Sequence, residues 1–573
     1  MTLTDAGVRP RARWLLPTEP DAVVVDMLER ELSLPRPICR LLAIRGYGAS
    51  DHAKTFLRPR LDQLHAPDRL QDLDRAVVRL TTALRENETI LVHGDYDVDG
   101  MCSTTLMVRT LRALGGNAVP FIPRRLEDGY DLSAAGVRAA RAAGATLVVT
   151  CDCGTTAHAP IAELQAGGVD VIVTDHHLPS GPLPNAFAIL NPKRPGCPSP
   201  DKDLAAVGVA FKLAMALTRA VGGNENVVYG LLDLVALATI ADIAPLRGEN
   251  RVLVRYGLKL LNDPERPGIR AMIRAAGLER KALTAGRIGF ILAPRLNAAG
   301  RLGSAMRGIE LLMAKSEQEA NPIARELEEL NARRQEIDRA TLVRARERVL
   351  EMDLPSTFGI VLAEQGWHAG VIGIVASRIV EEFGRPTMLV ALDGAEGKGS
   401  GRSISAFDLH GGLSQCRELL TRFGGHRAAA GISISADRVA EFAARFNAVA
   451  AQQLTPDDLV PELRVDLEIT LDQVNEQLEA MLRHMEPCGL GNPSPLFVAR
   501  GVTVASPPRT IGKDGLKVVL KGNGCQIVAL GWSMAPRIAE LEAGATIDVA
   551  FRLERDDWNG QPSLQARLAD FRA

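Results

Sequence analysis

Short apolar runs alternate with longer amphipathic segments in the first half of the chain. The runs 90–92, 146–150 and 169–174 are short and rich in β-branched residues, so each predicts a strand. Helical patterns are predicted over 101–114, 157–166, 204–220 and 229–241, and a Pro-rich loop over 178–200. This alternation is typical of a mostly parallel sheet with helices on both faces.

A long charged segment separates this region from a second one of the same kind. Asn321 followed by Pro322 predicts a helix start, because a cap residue precedes a proline at the first helical position. The helix would run to Met352, and about 30 residues at 1.5 Å each make a spacer of roughly 45 Å. Strand patterns then recur at 359–363, 387–391 and 431–435.

The last 110 or so residues are rich in strand patterns. Runs 516–520 and 526–530 flank Asn523-Gly524, a signature of a tight hairpin turn, and further strands are predicted at 546–553 and 564–571. About five strands in this length predict a small barrel of the OB type. Its aromatic residues are few: Phe497, Trp532, Phe551, Trp558 and Phe571.

These patterns predict an α/β protein with two α/β lobes joined by a long helix, followed by an OB-like β-barrel. The predicted divisions are an N-terminal helical cap over 1–70, a first α/β domain over 71–315, a connector helix over 316–354, a second α/β domain over 355–455 and the barrel over 456–573.

Composition narrows the class of protein. A net charge of −2 excludes a globally basic nucleic-acid coat protein but allows a local basic groove. The N-terminus lacks the apolar core of a signal peptide, and no apolar run is long enough to span a bilayer. The eight cysteines are scattered without zinc spacing, which predicts reduced cysteines in a cytoplasmic protein.

Residues 91–100, at the end of the first predicted strand, contain the first candidate ligands of a metal ion. Three aspartates two residues apart, Asp95, Asp97 and Asp99, repel one another unless a cation neutralises them. A solvated loop would also carry such residues, and an EF-hand begins with the same spacing. The EF-hand is excluded because its twelfth position is Leu106 and a strand, rather than a helix, comes before the loop.

Two further strands and one helix end in the same way. Asp152 follows the second strand, Asp175, His176 and His177 follow the third, and Asp242 follows a later apolar run. Because the carboxyl ends of parallel strands meet at one edge of a sheet, these side chains should converge. The expected ligands carry oxygen and nitrogen but no thiolate, which suits Mn²⁺ or Mg²⁺: His93, Asp97, Asp99, Asp152, His176 and Asp242.

Such a site predicts phosphoryl chemistry. Two metal ions that share a bridging carboxylate activate water and stabilise the oxygens of an in-line phosphoryl displacement. His177 would either protonate the leaving oxygen or hold the phosphate.

The string from His93 to Gly100 together with Asp175-His176-His177 resembles the DHH phosphoesterase superfamily, and the resemblance extends over nearly the whole chain to its exonucleases. It implies that His93 and Asp97 hold one metal ion, that Asp99, His176 and Asp242 hold the other, and that Asp152 bridges them. Asp95 would support the ligands from behind. Cys151 and Cys153 depart from the neighbours expected around Asp152.

The second α/β region resembles the DHHA1 domain, whose Gly-Gly-His signature stands at 424–426. A Gly-rich segment, 397–403, precedes it and is read as a loop whose serine and arginine suit a phosphate. The resemblance implies that five residues contact the substrate: Arg301, Gln335, Ser400, Arg402 and His426. It also implies single-strand binding by the barrel, where the few aromatic residues favour backbone charge over base stacking.

The resemblance therefore implies a cytoplasmic enzyme that degrades single-stranded DNA from the 5′ end to mononucleotides, in recombination and repair. A helicase and a single-strand binding protein are the implied partners, without a membrane, and the layout favours a monomer. Two other functions remain: a phosphoesterase for short oligonucleotides, cyclic dinucleotides or pyrophosphate, and an inactive DNA-binding scaffold. The terminal barrel disfavours the first and the complete ligand set disfavours the second.

Overall fold

Strands alternate with helices through the first half of the structure, as the sequence predicts. This computed structural model describes residues 11–125, 127–556 and 563–573. In that part of the chain the strands, β1 to β19, are Arg13–Leu15, Thr89–Gly94, Asn117–Phe121, Leu147–Cys151, Asp170–Thr174, Ala188–Leu190, Ile360–Gln365, Thr387–Asp393, Glu396–Arg402, Arg422–Gly425, Ala429–Ser435, Glu462–Arg464, Leu467–Glu468, Phe497–Val504, Arg509–Ile511, Gly515–Gly522, Cys525–Gly531, Thr546–Asp556 and Ser563–Arg572.

The helices are named in the same order. The α-helices α1 to α20 are Ala22–Leu32, Arg36–Ile44, Ser50–Leu57, Leu73–Arg85, Val98–Ala113, Ala134–Ala142, His158–Ala166, Ala206–Ala220, Glu225–Tyr229, Leu232–Ala241, Gly248–Asn262, Pro267–Ala275, Ala285–Arg287, Ala293–Leu302, Met306–Met313, Glu317–Leu350, Ile372–Phe383, Leu409–Ser414, Val439–Gln453 and Glu476–Leu482. A five-residue π-helix, Ile288–Leu292, lies between α13 and α14.

The chain divides into two units. Unit 1 contains Met1–Arg58, Gln335–Met485 and Ser494–Ala573, and unit 2 contains Pro59–Arg334 and Glu486–Pro493. The segment Glu486–Pro493 therefore belongs with unit 2, although the rest of its sequence neighbourhood belongs with unit 1.

Unit 2 is built on a five-stranded sheet with the order β3-β2-β4-β5-β6, and every neighbouring pair is parallel. Strands β2 and β4 are buried over almost their whole length, which explains their continuous apolar runs. From β2 the chain moves to β3 on one side, and it then returns to β4 on the other side. A crevice opens at such a reversal, at the carboxyl ends of the two strands.

The segment 178–200 is not wholly a loop, so that prediction was wrong. It contains β6, a three-residue strand that pairs in parallel with β5. Three residues between prolines carry too little periodicity to be recognised, but hydrogen bonding to β5 is sufficient to order them.

The α/β sheet of unit 1 has the order β10-β11-β9-β8-β7, with β7 and β8 parallel and the other pairs antiparallel. The Gly-rich segment is strand β9 at the centre of this sheet and not the predicted loop. Gly397, Gly399 and Gly401 alternate along it, and a Cβ at Gly399 would lie 2.5 Å from Ile432 Cγ1. The glycines therefore face a crowded layer of side chains, and Ser400 and Arg402 extend from the opposite face.

The C-terminal strands of unit 1 form an OB-like sheet. Its strands follow the order β13-β14-β18-β19-β17-β16-β15. An additional pairing of β14 with β16 joins strands near the two ends of this order, as in a small barrel. Asn523 and Gly524 both have positive φ at the β16–β17 turn, as the predicted hairpin requires. The N-terminal helices α1 to α3 pack into the same core.

The aromatic residues of this sheet differ in exposure. Phe497, Phe551 and Phe571 are buried in its core, and Trp532 is half-exposed. Trp558 lies outside the described residues.

The long helix α16 begins at Glu317, so the predicted start at Asn321 and Pro322 was wrong. The Ser316 hydroxyl accepts a hydrogen bond from the Glu319 amide, and the Glu319 carboxylate accepts one from the Lys315 amide. This polar capping starts the helix before the proline, which is then included within it. Every helix in the described ranges, α16 included, is too short or too polar to cross a membrane.

We expect Gly399→Ala to destabilise unit 1 by about 1–3 kcal/mol, because the added methyl group overpacks the layer that contains Ile432. The matched control is Gly431→Ala on β11, where the nearest atom to a new Cβ is 3.7 Å away. Urea unfolding followed by tryptophan fluorescence reports on this unit, since all four tryptophans lie in its segments. Equal effects of the two substitutions would contradict the packing of β9.

Candidate metal centre

The carboxyl ends of four neighbouring strands of unit 2 carry polar side chains at one sheet edge. Asp95 follows β2, Asp152 follows β4, Asp175 follows β5 and Asn191 follows β6. This edge includes the reversal between β2 and β4, so the side chains face the crevice expected there.

Within the described residues, three groups of side chains bring their ligand atoms within 4.8 Å of one another. They are Asp95–Asp97–Asp152, Asp99–His176–Asp242 and Asp152–His176–His177. His176 Nε2 lies 3.3 Å from Asp152 Oδ1 and 3.7 Å from Asp242 Oδ2. Asp152 and His176 each belong to two of the groups, so these two residues together link all three.

Helix ends hold two of the aspartates in place. Asp97 is the N-cap of α5, and its side chain accepts hydrogen bonds from the amides of Asp99 and Gly100. The Asp99 carboxylate accepts hydrogen bonds from the first amides of α8, at Ala206 and Val207, both at 2.9 Å. Helix α8 lacks a side-chain cap of its own, so Asp99 supplies one and is fixed in orientation.

Asp175 is saturated with hydrogen bonds and orients its neighbours. Its carboxylate accepts from the amides of Thr155 and His176, and its Oδ1 lies 2.7 Å from His177 Nδ1. Burial alone would raise the pKa of Asp175, but the hydrogen bond and charge of His177 hold it well below its usual range. Burial likewise opposes protonation of His177, but Asp175 raises the pKa of His177 to about 9.

The other carboxyl groups are crowded and poorly solvated. Burial, and next the charges of neighbouring aspartates, raises the pKa of Asp95, Asp152 and Asp242 well above the usual range. The same two causes raise the pKa of Asp99 to about 7. A nearby divalent cation reverses this effect, because it favours the ionised form of each carboxyl group.

Buried atoms without hydrogen bonds indicate that these residues fit a metal ion. Asp95 Oδ1, Asp152 Oδ1, His93 Nε2 and His176 Nε2 are buried and have no hydrogen-bond partner. Buried polar atoms nearly always have a hydrogen-bond partner. Since these four atoms have none, we expect them to bind a cation instead. Carboxylate oxygens with few imidazoles and no thiolate suit Mn²⁺ or Mg²⁺.

His93 differs from the other predicted ligands, because it is absent from all three groups found in the described part of the chain. Its Nδ1 lies 3.5 Å from Cys153 Sγ, and its Nε2 lies beside Gly136, where a Cβ would be only 2.8 Å away. Burial lowers the pKa of His93 to about 4, so the imidazole is neutral and able to bind a metal ion. Asp95, predicted as a catalytic residue that supports the ligands, lies in the group with Asp97 and Asp152.

Sequence reasoning missed Tyr130 and Asn191. The Tyr130 hydroxyl lies 3.3 Å from the ring nitrogens of His177, and the Asn191 side chain donates to the His177 carbonyl at 2.8 Å. Asp131 anchors this segment by accepting hydrogen bonds from the Gly154 amide and the Thr156 hydroxyl. If β6 had been predicted, Asn191 would have been identified as a fourth residue at the end of a strand. No periodic pattern in the sequence identifies Tyr130.

The predicted substrate residues of unit 1 lie at one end of its α/β sheet. Ser400 and Arg402 are on β9, and their side chains face the first turn of α17, where a Cβ at Gly373 would lie 2.8 Å from Ser400 Oγ. His426 lies in the turn before Ala429, which pairs with Arg402. A helix N-terminus beside a serine and an arginine is a suitable environment for a phosphate.

The remaining two predicted residues lie on helices. Arg301 is on α14 of unit 2, and the preceding Gly300 contacts the Tyr96 carbonyl so closely that a Cβ would be 2.3 Å from the oxygen. This contact holds Arg301 beside the turn that follows β2. Gln335 is exposed on α16.

Three family models match the chain. The DHH family N-terminal domain matches residues 89–239, the DHHA1 domain matches 356–452 and the RecJ OB domain matches 465–570. The three matches follow one another in the order in which the structure places the parallel sheet, the second α/β sheet and the OB-like sheet.

Curated relatives and solved structures resemble the chain over most of its length. The single-stranded-DNA-specific exonuclease RecJ of Bacillus subtilis is 35% identical over 98% of this chain and 71% of the relative. That of Escherichia coli is 36% identical over 93% of this chain and 95% of the relative. The crystal structure of Thermus thermophilus RecJ in complex with Mn²⁺ has a TM-score of 0.85 and 34% identity, covering 98% of this chain and 80% of that one.

We expect Asp152→Asn to leave the metal-free protein at least as stable as the wild type at neutral pH, because it removes a carboxyl group whose raised pKa in the folded state lowers stability above its unfolded pKa. Mn²⁺ at 100 times its Kd should stabilise the wild type by about 2.7 kcal/mol and this variant by much less. Thermal unfolding in EDTA and in Mn²⁺ measures both effects, with the exposed Asp263→Asn as a control. An undiminished Mn²⁺ effect in Asp152→Asn would refute its role as a ligand.

Proposed function

The chain belongs to the RecJ family of single-stranded-DNA-specific exonucleases, and on that premise we propose that it hydrolyses single-stranded DNA from the 5′ end to mononucleotides. The observation that carries the proposal is the set of three ligand groups at one sheet edge, which Asp152 and His176 link. Paired hard-metal sites of this kind suit the in-line displacement of a phosphodiester.

The residues fit two divalent cations. We assign Asp97, Asp95 and Asp152, with His93 as a further ligand, to one ion, and Asp99, His176 and Asp242 to the other, with Asp152 bridging. Mn²⁺ or Mg²⁺ bound there would activate a water molecule and stabilise the charge that develops on the phosphate oxygens. Relatives crystallised in complex with Mn²⁺ and with Mg²⁺ support this choice of cofactor.

His177 is the proposed proton donor to the leaving oxygen, or alternatively the residue that holds the phosphate. Its Nδ1 is engaged by Asp175, and its backbone carbonyl is fixed by Asn191, so the imidazole has a defined orientation. The raised pKa of His177 supplies a proton near neutral pH. Tyr130 limits the rotation of the ring by its contact with it.

We propose that Ser400, Arg402 and His426 bind the phosphate at the 5′ end of the strand. The first turn of α17 adds backbone amides, and the alternate glycines of β9 keep both side chains on one face. Arg301 and Gln335 are proposed to contact the terminal nucleotide. The OB-like sheet would bind the strand mainly through backbone charge, because three of its aromatic residues are buried.

The cellular context follows from the family. We propose that the protein acts as a monomer in the cytoplasm during recombination and repair, on strands that a helicase and a single-strand binding protein present. The scattered spacing of its eight cysteines supports a reducing compartment.

Strands of 40 nucleotides labelled at the 5′ or the 3′ end, incubated with Mn²⁺, test the function. We expect labelled mononucleotide immediately from the 5′-labelled strand and only late from the 3′-labelled one. A duplex of the same sequence should be resistant, and Asp152→Asn should be at least about 100-fold slower, since it removes a residue that belongs to two of the three ligand groups. Early release from the 3′ label would contradict the polarity, and activity only on dinucleotides would favour the small-substrate phosphoesterases.

A further inference from the structure

Three large apolar side chains of unit 2 are exposed on segments that contact helix α10 or follow it directly. Ile243, Phe290 and Leu490 have 67%, 88% and 56% of their surfaces exposed. We call these three residues the apolar rim. Each belongs to a segment that packs against helix α10 or the turn after it, and α10 ends at Asp242.

Ile243 occupies a position that normally belongs to glycine. The Ala244 amide donates to the Thr239 carbonyl and the Ile243 amide donates to the Ile240 carbonyl, which is the hydrogen-bond pattern of a Schellman motif. This places Ile243 at the left-handed position, with φ of 58°. In the described residues it is the β-branched member of the non-glycine set with positive φ, the others being Ser, Asp or Asn.

The sequence therefore places an unfavourable residue beside a proposed metal ligand. A β-branched side chain strains the backbone in the left-handed region, and its exposure gains little hydrophobic stabilisation. Glycine would relieve the strain, and a polar residue would be better solvated. Strain of this kind concentrates at functional sites, which makes Ile243 a candidate for a functional role.

Phe290 is presented by the π-helix Ile288–Leu292. Ile288 and Leu292 are buried in the core, and Gly289 lies against Ile240 of α10, with 3.5 Å between a Cβ at Gly289 and Ile240 Cγ2. The extra residue of a π-helical turn turns Phe290 outwards, and such turns are frequent at functional sites. Helix α14, which carries Arg301, begins directly after this turn.

Leu490 is fixed by the segment that unit 2 receives from the C-terminal half of the chain. The Leu246 amide donates to the Leu490 carbonyl at 2.6 Å, and Gly491 lies against Pro245. Arg251 donates to the carbonyls of Glu486 and Pro487. These contacts hold Leu490 against the turn that contains Ile243.

We propose that the apolar rim receives the bases of the substrate strand next to the metal centre. The inference rests on the proposed function and deepens it by naming base-contacting residues, the first of which, Ile243, directly follows the proposed ligand Asp242. Every base has an apolar face, so contacts of this type tolerate any sequence. The faces are accessible in a single strand and are covered by stacking and pairing in a duplex, so the rim would also favour single strands.

Two strands of equal length test the proposal, one with normal bases and one with abasic residues at its first four positions. For the wild type we expect the abasic strand to have a KM about 5- to 100-fold higher, with kcat less affected. Phe290→Ala should raise the KM of the normal strand by a similar factor and should lose most of the discrimination between the two strands. Val78→Ala, at an exposed apolar residue on α4, is the matched control.

Ile243→Gly separates a functional role from a structural one. It should raise the midpoint of thermal unfolding, because glycine suits the left-handed position, while it raises the KM of the normal strand. Unchanged KM and unchanged discrimination in Phe290→Ala and Ile243→Gly would overturn the proposal, and so would an equal rise in KM for both strands. Failure of the wild type to degrade the normal strand would instead overturn the proposed function.

Discussion

Buried carboxyl groups at the carboxyl edge of the parallel sheet repel one another, and the metal centre is built around this repulsion. Burial and mutual proximity both disfavour ionisation of Asp95, Asp152 and Asp242. This crowding of carboxyl groups reduces the stability of the metal-free fold. Binding of divalent cations compensates for the lost stability. The same crowding that is unfavourable for stability creates the affinity for metal ions that the proposed chemistry needs.

The surrounding fold holds the repelling groups in place. The order of the parallel strands brings their carboxyl ends together, and the amides at the start of α8 bind the Asp99 carboxylate. Asp175 is fully occupied by hydrogen bonds and orients His177 without joining any of the groups found in the described residues. The strained backbone at Ile243 follows the same principle, since local stability is lost where a side chain is required for substrate.

The sequence allowed much of this to be predicted, because strands that end in Asp or His converge whenever they are parallel. The parallel sheet, the convergence of Asp152, His176 and Asp242, and the β16–β17 hairpin follow from such local signals. The Gly-rich strand β9 was mistaken for a loop because glycine lacks strand propensity, and only the crowded neighbouring layer explains it. The start of α16, strand β6 and the contact of Tyr130 with His177 depend on tertiary contacts or on competing caps, which local patterns do not encode.

Anomalous scattering from crystals grown with Mn²⁺ locates metal ions independently of activity. We expect two manganese peaks at the carboxyl edge of the parallel sheet, one beside Asp97 and one beside Asp242, with Asp152 contacting both. His93 Nε2 should then point at the peak beside Asp97. A single peak that Asp152 does not contact, or peaks away from this edge, would contradict this expectation.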